Sequence, residues 1–196
     1  PRALSLYERA AQDGYDTPDT RYRRGYILYQ AGDFPQAVEQ FYMAGRDGGE
    51  SPYLLFAFGD ALYAREDYYA AQDYFQRTVD AMKLELDNID NPSPQEKPSQ
   101  GEIVELLMEA QNNLGATIYR VANRLGDASL RAKGMVAFSE SARLFDSLTR
   151  DETTMLRSDS KNLSFLNMDY VLHPQRNIDL AIYPSIQRAM KFPQKK

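Results

Sequence analysis

The segment AVEQFYMA at residues 37–44 decides the fold, because variants of it occur on both sides at one fixed spacing. The variants are ALSLYERA at residues 3–10 and AQDYFQRT at residues 71–78, so the three copies begin at the equally spaced positions 3, 37 and 71. In each copy a small residue comes first, an aromatic residue follows four positions later, and a second small residue follows three positions after that. The spacing lies within the range of roughly 20 to 50 residues that is the sequence signature of a repeat architecture.

Three further kinds of marker recur at the same spacing. They are a proline, a glycine and a turn segment, found at Pro18 and Pro52, at Gly25 and Gly59, and at residues 32–34 and 66–68. The markers divide this part of the chain into two repeats with the same pattern, residues 18–48 and 52–86.

The spacing within each unit favours pairs of close-packed helices. A small residue and an aromatic residue four positions apart lie on one face of a helix, where a neighbouring helix can approach the first and interlock with the second. Gly25 and Gly59 lie inside helical patterns, where glycine costs about 1 kcal/mol relative to alanine, so we expect a close helix contact at each. The sequence predicts an all-α chain with helices at residues 3–14, 18–31, 35–48, 52–65, 69–86, 102–125 and 129–148.

With Gly25 and Tyr29 on the first helix and Ala37, Phe41 and Ala44 on the second, the chain resembles the tetratricopeptide repeat family. The resemblance covers roughly residues 3–145 and departs from the family pattern at its usual tryptophan, where Arg21 and Leu55 stand. It implies an α-solenoid of antiparallel helical hairpins. The predicted array has a half repeat at 1–14 and full repeats at 18–48, 52–86 and 102–148, so we expect a longer array.

The third repeat is longer than the others. Gly115 matches the marker glycine, and Gly134, Phe138 and Ser141 match the second helix. Gly115 and Gly134 lie farther apart along the chain than the corresponding pair Gly25 and Ala37. The insertion amounts to about one helical turn on each arm. An antiparallel hairpin can lengthen in this way and keep its facing register.

Two segments fall outside the repeats. Residues 87–101 contain three prolines and are predicted to be an exposed loop. Residues 149–196 are predicted to be a capping segment, because a stacked array needs its last apolar face covered. The residues assigned to the cap are Phe165, Leu166, Tyr170, Val171, Leu172 and Ile178. An alternative is that they belong to a partner interface.

Composition excludes several classes of function. The formal charge of -5 has the wrong sign for nucleic-acid binding, and the basic cluster of Arg21, Arg23 and Arg24 is interpreted as a solvated helix face. No apolar run is long enough to cross a membrane, so direct membrane insertion is not expected. With no cysteine and the single histidine His173, the chain lacks the parts of a zinc site or a serine–histidine nucleophile. We therefore expect neither a cofactor nor enzymatic activity.

The resemblance also implies where a partner binds, because the first helices of such repeats line a concave groove. On this basis the candidate partner-binding residues are Tyr22, Tyr26, Tyr29, Tyr53, Phe56, Asp60, Tyr63, Asn112 and Tyr119. Tyr29, Tyr63 and Tyr119 occupy equivalent positions. The predicted function is a protein–protein interaction scaffold that binds a partner peptide or helix. The alternative is that these rings pack between repeats.

One familiar use of the family is to clamp the C-terminal carboxylate of chaperones with lysine, arginine and asparagine at set first-helix positions. Those positions hold Tyr22, Tyr26, Ala57, Glu109 and Asn113 here, and only Asn113 fits. A different protein partner is therefore expected.

A second resemblance comes from the segments NLSFLNMDYVLHP at 162–174 and DLAIYPSI at 179–186. They are similar in general character to the repeat proteins that build the collar around the periplasmic flagellar motor of spirochaetes. This resemblance implies the alternative function, a structural subunit of a large multi-subunit assembly. The compartment is left open between the cytoplasm and a bacterial periplasm.

Overall fold

The computed structural model describes residues 2–89, 98–150, 167–168, 171–172, 180 and 182–184. These residues form seven helices and no strand, which confirms the all-α class. The helices are α1 (Arg2–Gln12), α2 (Pro18–Gln30), α3 (Phe34–Gly48), α4 (Pro52–Ala64), α5 (Tyr68–Asp87), α6 (Gln100–Leu125) and α7 (Ala128–Arg150). Their bounds agree closely with the predicted ones. Most of the predicted cap, including Phe165, Leu166, Tyr170 and Ile178, lies outside the described residues.

Helices α2 and α4, the first helices of two repeats, begin with the same N-terminal cap. The side chain of Thr17 accepts a hydrogen bond from the N–H of Thr20 at 3.2 Å, and that of Ser51 accepts one from Leu54 at 3.2 Å. The proline that follows each cap occupies the first helical turn, where its missing N–H costs nothing. This explains why the prolines recur at the repeat spacing.

Helix α6 begins slightly earlier than the sequence pattern suggested. The Ser99 side chain accepts from the N–H of Glu102 at 3.3 Å, while the Glu102 carboxylate accepts from the N–H of Ser99 at 2.8 Å. This reciprocal pair satisfies two amide groups that a bare helix end would leave without an intrahelical partner. The cap therefore fixes the start of α6 at Gln100.

The three turns that join first and second helices share one backbone arrangement. In each, an aspartate N–H donates 2.9 Å to the carbonyl oxygen of a residue in the last turn of the first helix, and the residue before the aspartate has a left-handed backbone. The aspartates are Asp33, Asp67 and Asp127, and the left-handed residues are Gly32, Glu66 and Gly126. The long third hairpin thus turns in the same way as the regular ones.

The chain divides into two compact units, residues 1–74 with 184–196, called here the first unit, and residues 75–183, the second unit. In the first unit α2 and α3 run antiparallel. Tyr29 meets Phe34 next to the turn, and farther from the turn the Phe41 ring packs against Gly25 and Tyr22. A Cβ on Gly25 would lie 2.7 Å from the Phe41 ring, so only glycine fits this crossing without a shift.

The second unit repeats this crossing on longer helices. A Cβ on Gly115 of α6 would lie 2.7 Å from the Phe138 ring of α7 and 3.0 Å from the carbonyl oxygen of Gly134. Farther from the turn, the Ser141 hydroxyl donates 2.7 Å to the carbonyl oxygen of Met108. Gly134 and Ser141 therefore occupy the two small-residue positions that alanines fill in α3.

Candidate functional site

The nine candidate residues lie on first helices, as expected, but they divide into two groups by burial. Five are buried, with Tyr22 only 1% exposed and Tyr119 only 7% exposed. The buried group is Tyr22, Phe56, Asp60, Asn112 and Tyr119. The half-buried group is Tyr26, Tyr29, Tyr53 and Tyr63. Only the second group offers ring surface to a partner in this conformation.

The burial of the first group agrees with the alternative that some of these side chains pack within the fold. The Tyr22 ring lies 5.8 Å from that of Phe41, centroid to centroid, inside the α2/α3 contact. Tyr119 occupies the position equivalent to Tyr29 and Tyr63, yet it is buried and they are half-buried. It lies on α6, which is buried on nearly all sides from Ile103 to Ala122.

The half-buried rings at the ends of α2 and α4 are fixed by aromatic contacts across the turn. Tyr29 packs on Phe34 with ring centroids 5.8 Å apart, and Tyr63 packs on Tyr68 at 5.1 Å with ring planes 60° apart. Both partners of the second contact lie one repeat after those of the first. Each ring is thus held in place while part of its surface stays accessible.

Asp60, Tyr26 and Tyr29 form an electrostatically linked group. Burial raises the pKa of Tyr29 well above its ordinary value, and the negative charge of the fully buried Asp60 and the neighbouring Tyr26 raise it further. The Tyr29 phenol is therefore a neutral hydrogen-bond donor at physiological pH. Such a group can orient a ligand, but it cannot act as a base there.

The polar face of α6 was only partly recognised in the sequence. Asn112 was placed on the groove wall, and the structure instead shows its Oδ1 accepting a hydrogen bond from Asn167 at 3.0 Å. The adjacent Asn113 was noted only as a single match to the chaperone-tail pattern. Both its amide nitrogen and its amide oxygen bond to the main chain of Tyr183. No local pattern indicates this contact, because the two residues lie 70 positions apart.

A cleft of about 240 Å³ in the first unit is lined by residues of α3, α4 and α5. Phe58 and Tyr74 stack at its wall with ring centroids 4.2 Å apart, and Tyr42 lies at its edge, 57% exposed. Burial, the charge of Asp73 and the nearby Tyr42 raise the pKa of Tyr74. The remaining lining includes Gly45, Arg46, Glu50, Leu54 and Leu55. The cleft is mainly apolar with one charge of each sign at its rim.

The basic cluster on α2 is paired with acids. Arg21 binds Asp16 at 2.7 Å and also Asp47, Arg24 binds Asp16 at 3.4 Å, and Arg23 binds Asp19 at 2.7 Å. Hydrogen bonds from Arg46 and then Arg21 hold the pKa of Asp47 at about 2. The cluster is thus paired with nearby carboxylates, and with Arg21 14% and Arg24 20% exposed it is less solvated than the sequence interpretation held.

Within the described ranges, no group of three or more acidic, histidine or cysteine side chains could hold a metal ion. His173 lies outside those ranges. None of the helices that the structure describes combines the length and apolar character needed to cross a bilayer.

The chain matches no protein-family model, no curated protein and no solved structure. The resemblances stated above therefore remain predictions from the sequence.

Proposed function

We propose that this chain is a non-enzymatic, tetratricopeptide-like scaffold that binds a protein or peptide partner on the first-helix side of α2 and α4. The observation that carries this proposal is the set of four half-buried tyrosines on those two helices. They are Tyr26, Tyr29, Tyr53 and Tyr63.

These rings have the physical properties of a contact surface. A tyrosine offers a large apolar face and a polar hydroxyl, and it loses little conformational entropy when bound. The entropy loss is smaller still for Tyr29 and Tyr63, because Phe34 and Tyr68 already restrict their rings. A partner segment that crosses α2 and α4 would thus meet anchors that are already in position.

The polar groups beneath the rings suit a partner with exposed hydrogen-bond acceptors. Tyr29 stays protonated, because burial and the charge of Asp60 oppose its ionisation. Its hydroxyl can donate to a carbonyl oxygen, such as those along an extended or helical peptide. The negative charge of Asp60 also disfavours an acidic side chain at this point.

The repeat resemblance is supported by contacts that recur in register. The Asp–carbonyl turn bond occurs in all three hairpins, and the glycine–phenylalanine crossing occurs in α2/α3 and in α6/α7. Repeats of this kind offer an extended surface to which several units contribute. A scaffold is the function that such a surface serves best.

A second candidate, a structural subunit of a large assembly such as a bacterial periplasmic motor collar, is favoured by the cleft of the first unit. The apolar cleft of about 240 Å³ has Tyr42 of the second helix α3 at its edge, and this ring is 57% exposed. Large exposed apolar side chains next to a cleft are typical of an association surface.

Photo-crosslinking separates the two proposals. In the full-length protein expressed in its native cells, p-benzoylphenylalanine replaces Tyr63, on the first-helix side, or Tyr42, on the second-helix side. The scaffold proposal predicts a discrete adduct from position 63, whose crosslinked partner segment is then identified by mass spectrometry. Replacement at Tyr69 serves as the control for a merely exposed ring.

Adducts from position 42 with none from position 63 would contradict the scaffold proposal and support the structural subunit. Absence of adducts from both positions would contradict both.

A further inference from the structure

Asn113 of α6 holds one residue of a distant segment by both of that residue's main-chain polar groups. Its Nδ2 donates to the carbonyl oxygen of Tyr183 at 2.8 Å, and the N–H of Tyr183 donates to its Oδ1 at 2.7 Å. In paired strands, one residue exchanges both its N–H and its C=O bonds with the residue opposite. The side-chain amide of Asn113 therefore takes the place that a neighbouring strand would have, and these two bonds are called here the Asn113 clamp.

Asn113 also makes hydrogen bonds within α6. The Asn112 amide donates 3.2 Å to the Oδ1 of Asn113, and the Thr117 hydroxyl donates 2.6 Å to the main-chain carbonyl oxygen of Asn113. Both neighbours lie on the same rigid helix. The bond from Asn112 fixes which end of the Asn113 amide accepts, and so which end donates.

The clamped segment is anchored by two side chains. Residues 180 and 182–184 have neither helical nor strand hydrogen bonding, yet Leu180 and Tyr183 are buried and Ile182 is half-buried. Two main-chain hydrogen bonds and two closely spaced apolar anchors are the contacts of a short linear peptide on a receptor. The segment is thus bound in the manner of a ligand.

A permanent cap would not need this polar surface. Burying an asparagine amide costs free energy that an apolar side chain of similar size avoids, and the hydrogen bonds serve only to offset that cost. Asn112 and Asn113 are both fully buried beneath described parts of the C-terminal segment. Amides at these positions are useful on a surface that is covered by main chain at some times and by water at others.

We propose that the Asn112–Asn113 face of α6 is a receptor site for a peptide segment, and that the segment with Leu180 and Tyr183 is its resident intramolecular ligand. A partner segment with an aliphatic residue and an aromatic residue three positions later displaces it. Asn113 recognises the main chain of the bound segment, while the two apolar anchors determine which side chains the site accepts. This site uses other residues than the tyrosines of the first unit, so the two proposals stand or fall separately.

The test uses a fluorescein-labelled hexapeptide, DLAIYP, which corresponds to residues 179–184. Its matched control carries a methyl group on the tyrosine nitrogen, so that it keeps every side chain and lacks the N–H from which Asn113 accepts. The receptor is the full chain with Leu180→Asp and Tyr183→Ser, which weakens the resident ligand. Fluorescence anisotropy measures binding.

We expect the double variant to bind the probe at least about tenfold tighter than the unsubstituted chain, because apparent affinity scales with the fraction of vacant sites. The N-methylated peptide should bind about tenfold or more weakly, since the buried Oδ1 of Asn113 loses the hydrogen bond from the peptide. Asn113→Asp in the same background should weaken binding equally, because the carboxylate can accept from the N–H but cannot donate to the carbonyl oxygen. Equal binding of the two peptides, or no binding, would overturn the proposal and leave the segment as a fixed cap.

A second measurement needs no substitution. In the unsubstituted chain, hydrogen exchange at the Tyr183 amide should accelerate as excess probe displaces the resident segment. Unchanged exchange at saturating probe would contradict displacement. Light scattering tests a third outcome. If the chain is a dimer and Asn113→Asp dissociates it, the ligand comes from a second copy, which overturns the intramolecular assignment.

Discussion

The hairpins α2/α3 and α6/α7 are built around the same contact and differ in what surrounds it. In both, a first-helix glycine faces a second-helix phenylalanine so closely that an added Cβ would lie 2.7 Å from the ring. In α2/α3 the added Cβ would lie 3.3 Å from the carbonyl oxygen of Ala37. In α6/α7 it would lie 3.0 Å from the carbonyl oxygen of Gly134. The longer helices therefore approach each other more closely.

The two hairpins also expose different chemistry on their first helices. Helix α2 presents half-buried tyrosines, whereas α6 is buried on nearly all sides and carries the amides that hold Tyr183. The difference shows that the crossing and the turn define the hairpin, while the outward face of the first helix is free to vary. Function is to be sought on that face.

The largest effect should come from removing the ring at either crossing. We expect Phe41→Ala and Phe138→Ala each to lower the free energy of unfolding by about 3–5 kcal/mol, because both rings are fully buried and leave a cavity. Urea denaturation measures this. The control Tyr42→Ala, beside Phe41 but largely exposed, should change stability by less than about 1 kcal/mol. A loss of less than about 1 kcal/mol at either phenylalanine would show that the two hairpins are not built around the same contact.

A smaller effect distinguishes the two crossings. Gly25→Ala and Gly115→Ala both overpack a helix contact, which typically costs about 1–3 kcal/mol, and the better helix propensity of alanine offsets about 1 kcal/mol. A phenylalanine ring can tilt aside, but the backbone oxygen of Gly134 cannot. We therefore expect Gly115→Ala to be the more destabilising of the two.

Gly45→Ala is the matched control, because its added Cβ would meet only side-chain atoms, the nearest being the end of Leu54 at 3.3 Å. Thermal unfolding of the three variants gives the ranking. Equal losses at Gly25 and Gly115 would contradict the closer approach in the second unit.

Helix positions and turns were predictable from the sequence because they depend on local, repeated signals. The alanine–aromatic spacing placed the second helices, and the recurring prolines placed the starts of α2 and α4. The burial of the predicted groove residues was not predictable. Tyr22 and Tyr29 lie on one helix about two turns apart, and the packing of neighbouring helices decides that the first is interior and the second is half-buried.

The Asn113 clamp could not be predicted from the sequence for a different reason. An asparagine in a helix carries no signal for its partner, and Tyr183 lies 70 positions away with no repeat to link them. The predicted cap was defined by apolar residues, since a covered face was expected to be apolar. Asn113 and Asn167 show that the described contacts of this segment include polar ones.

The proposal that the half-buried first-helix tyrosines bind a partner is decided by the substitution Tyr63→Ala. The affinity for the partner segment identified by crosslinking is measured by calorimetry on the same preparation as the free energy of unfolding. Tyr69→Ala, an exposed ring on α5, is the control. If the ring is a binding anchor, Tyr63→Ala loses about 1–3 kcal/mol in affinity with a smaller change in stability. Intact affinity, accompanied by a stability loss of about 3–5 kcal/mol, would contradict this and show that the ring only fills space within the fold.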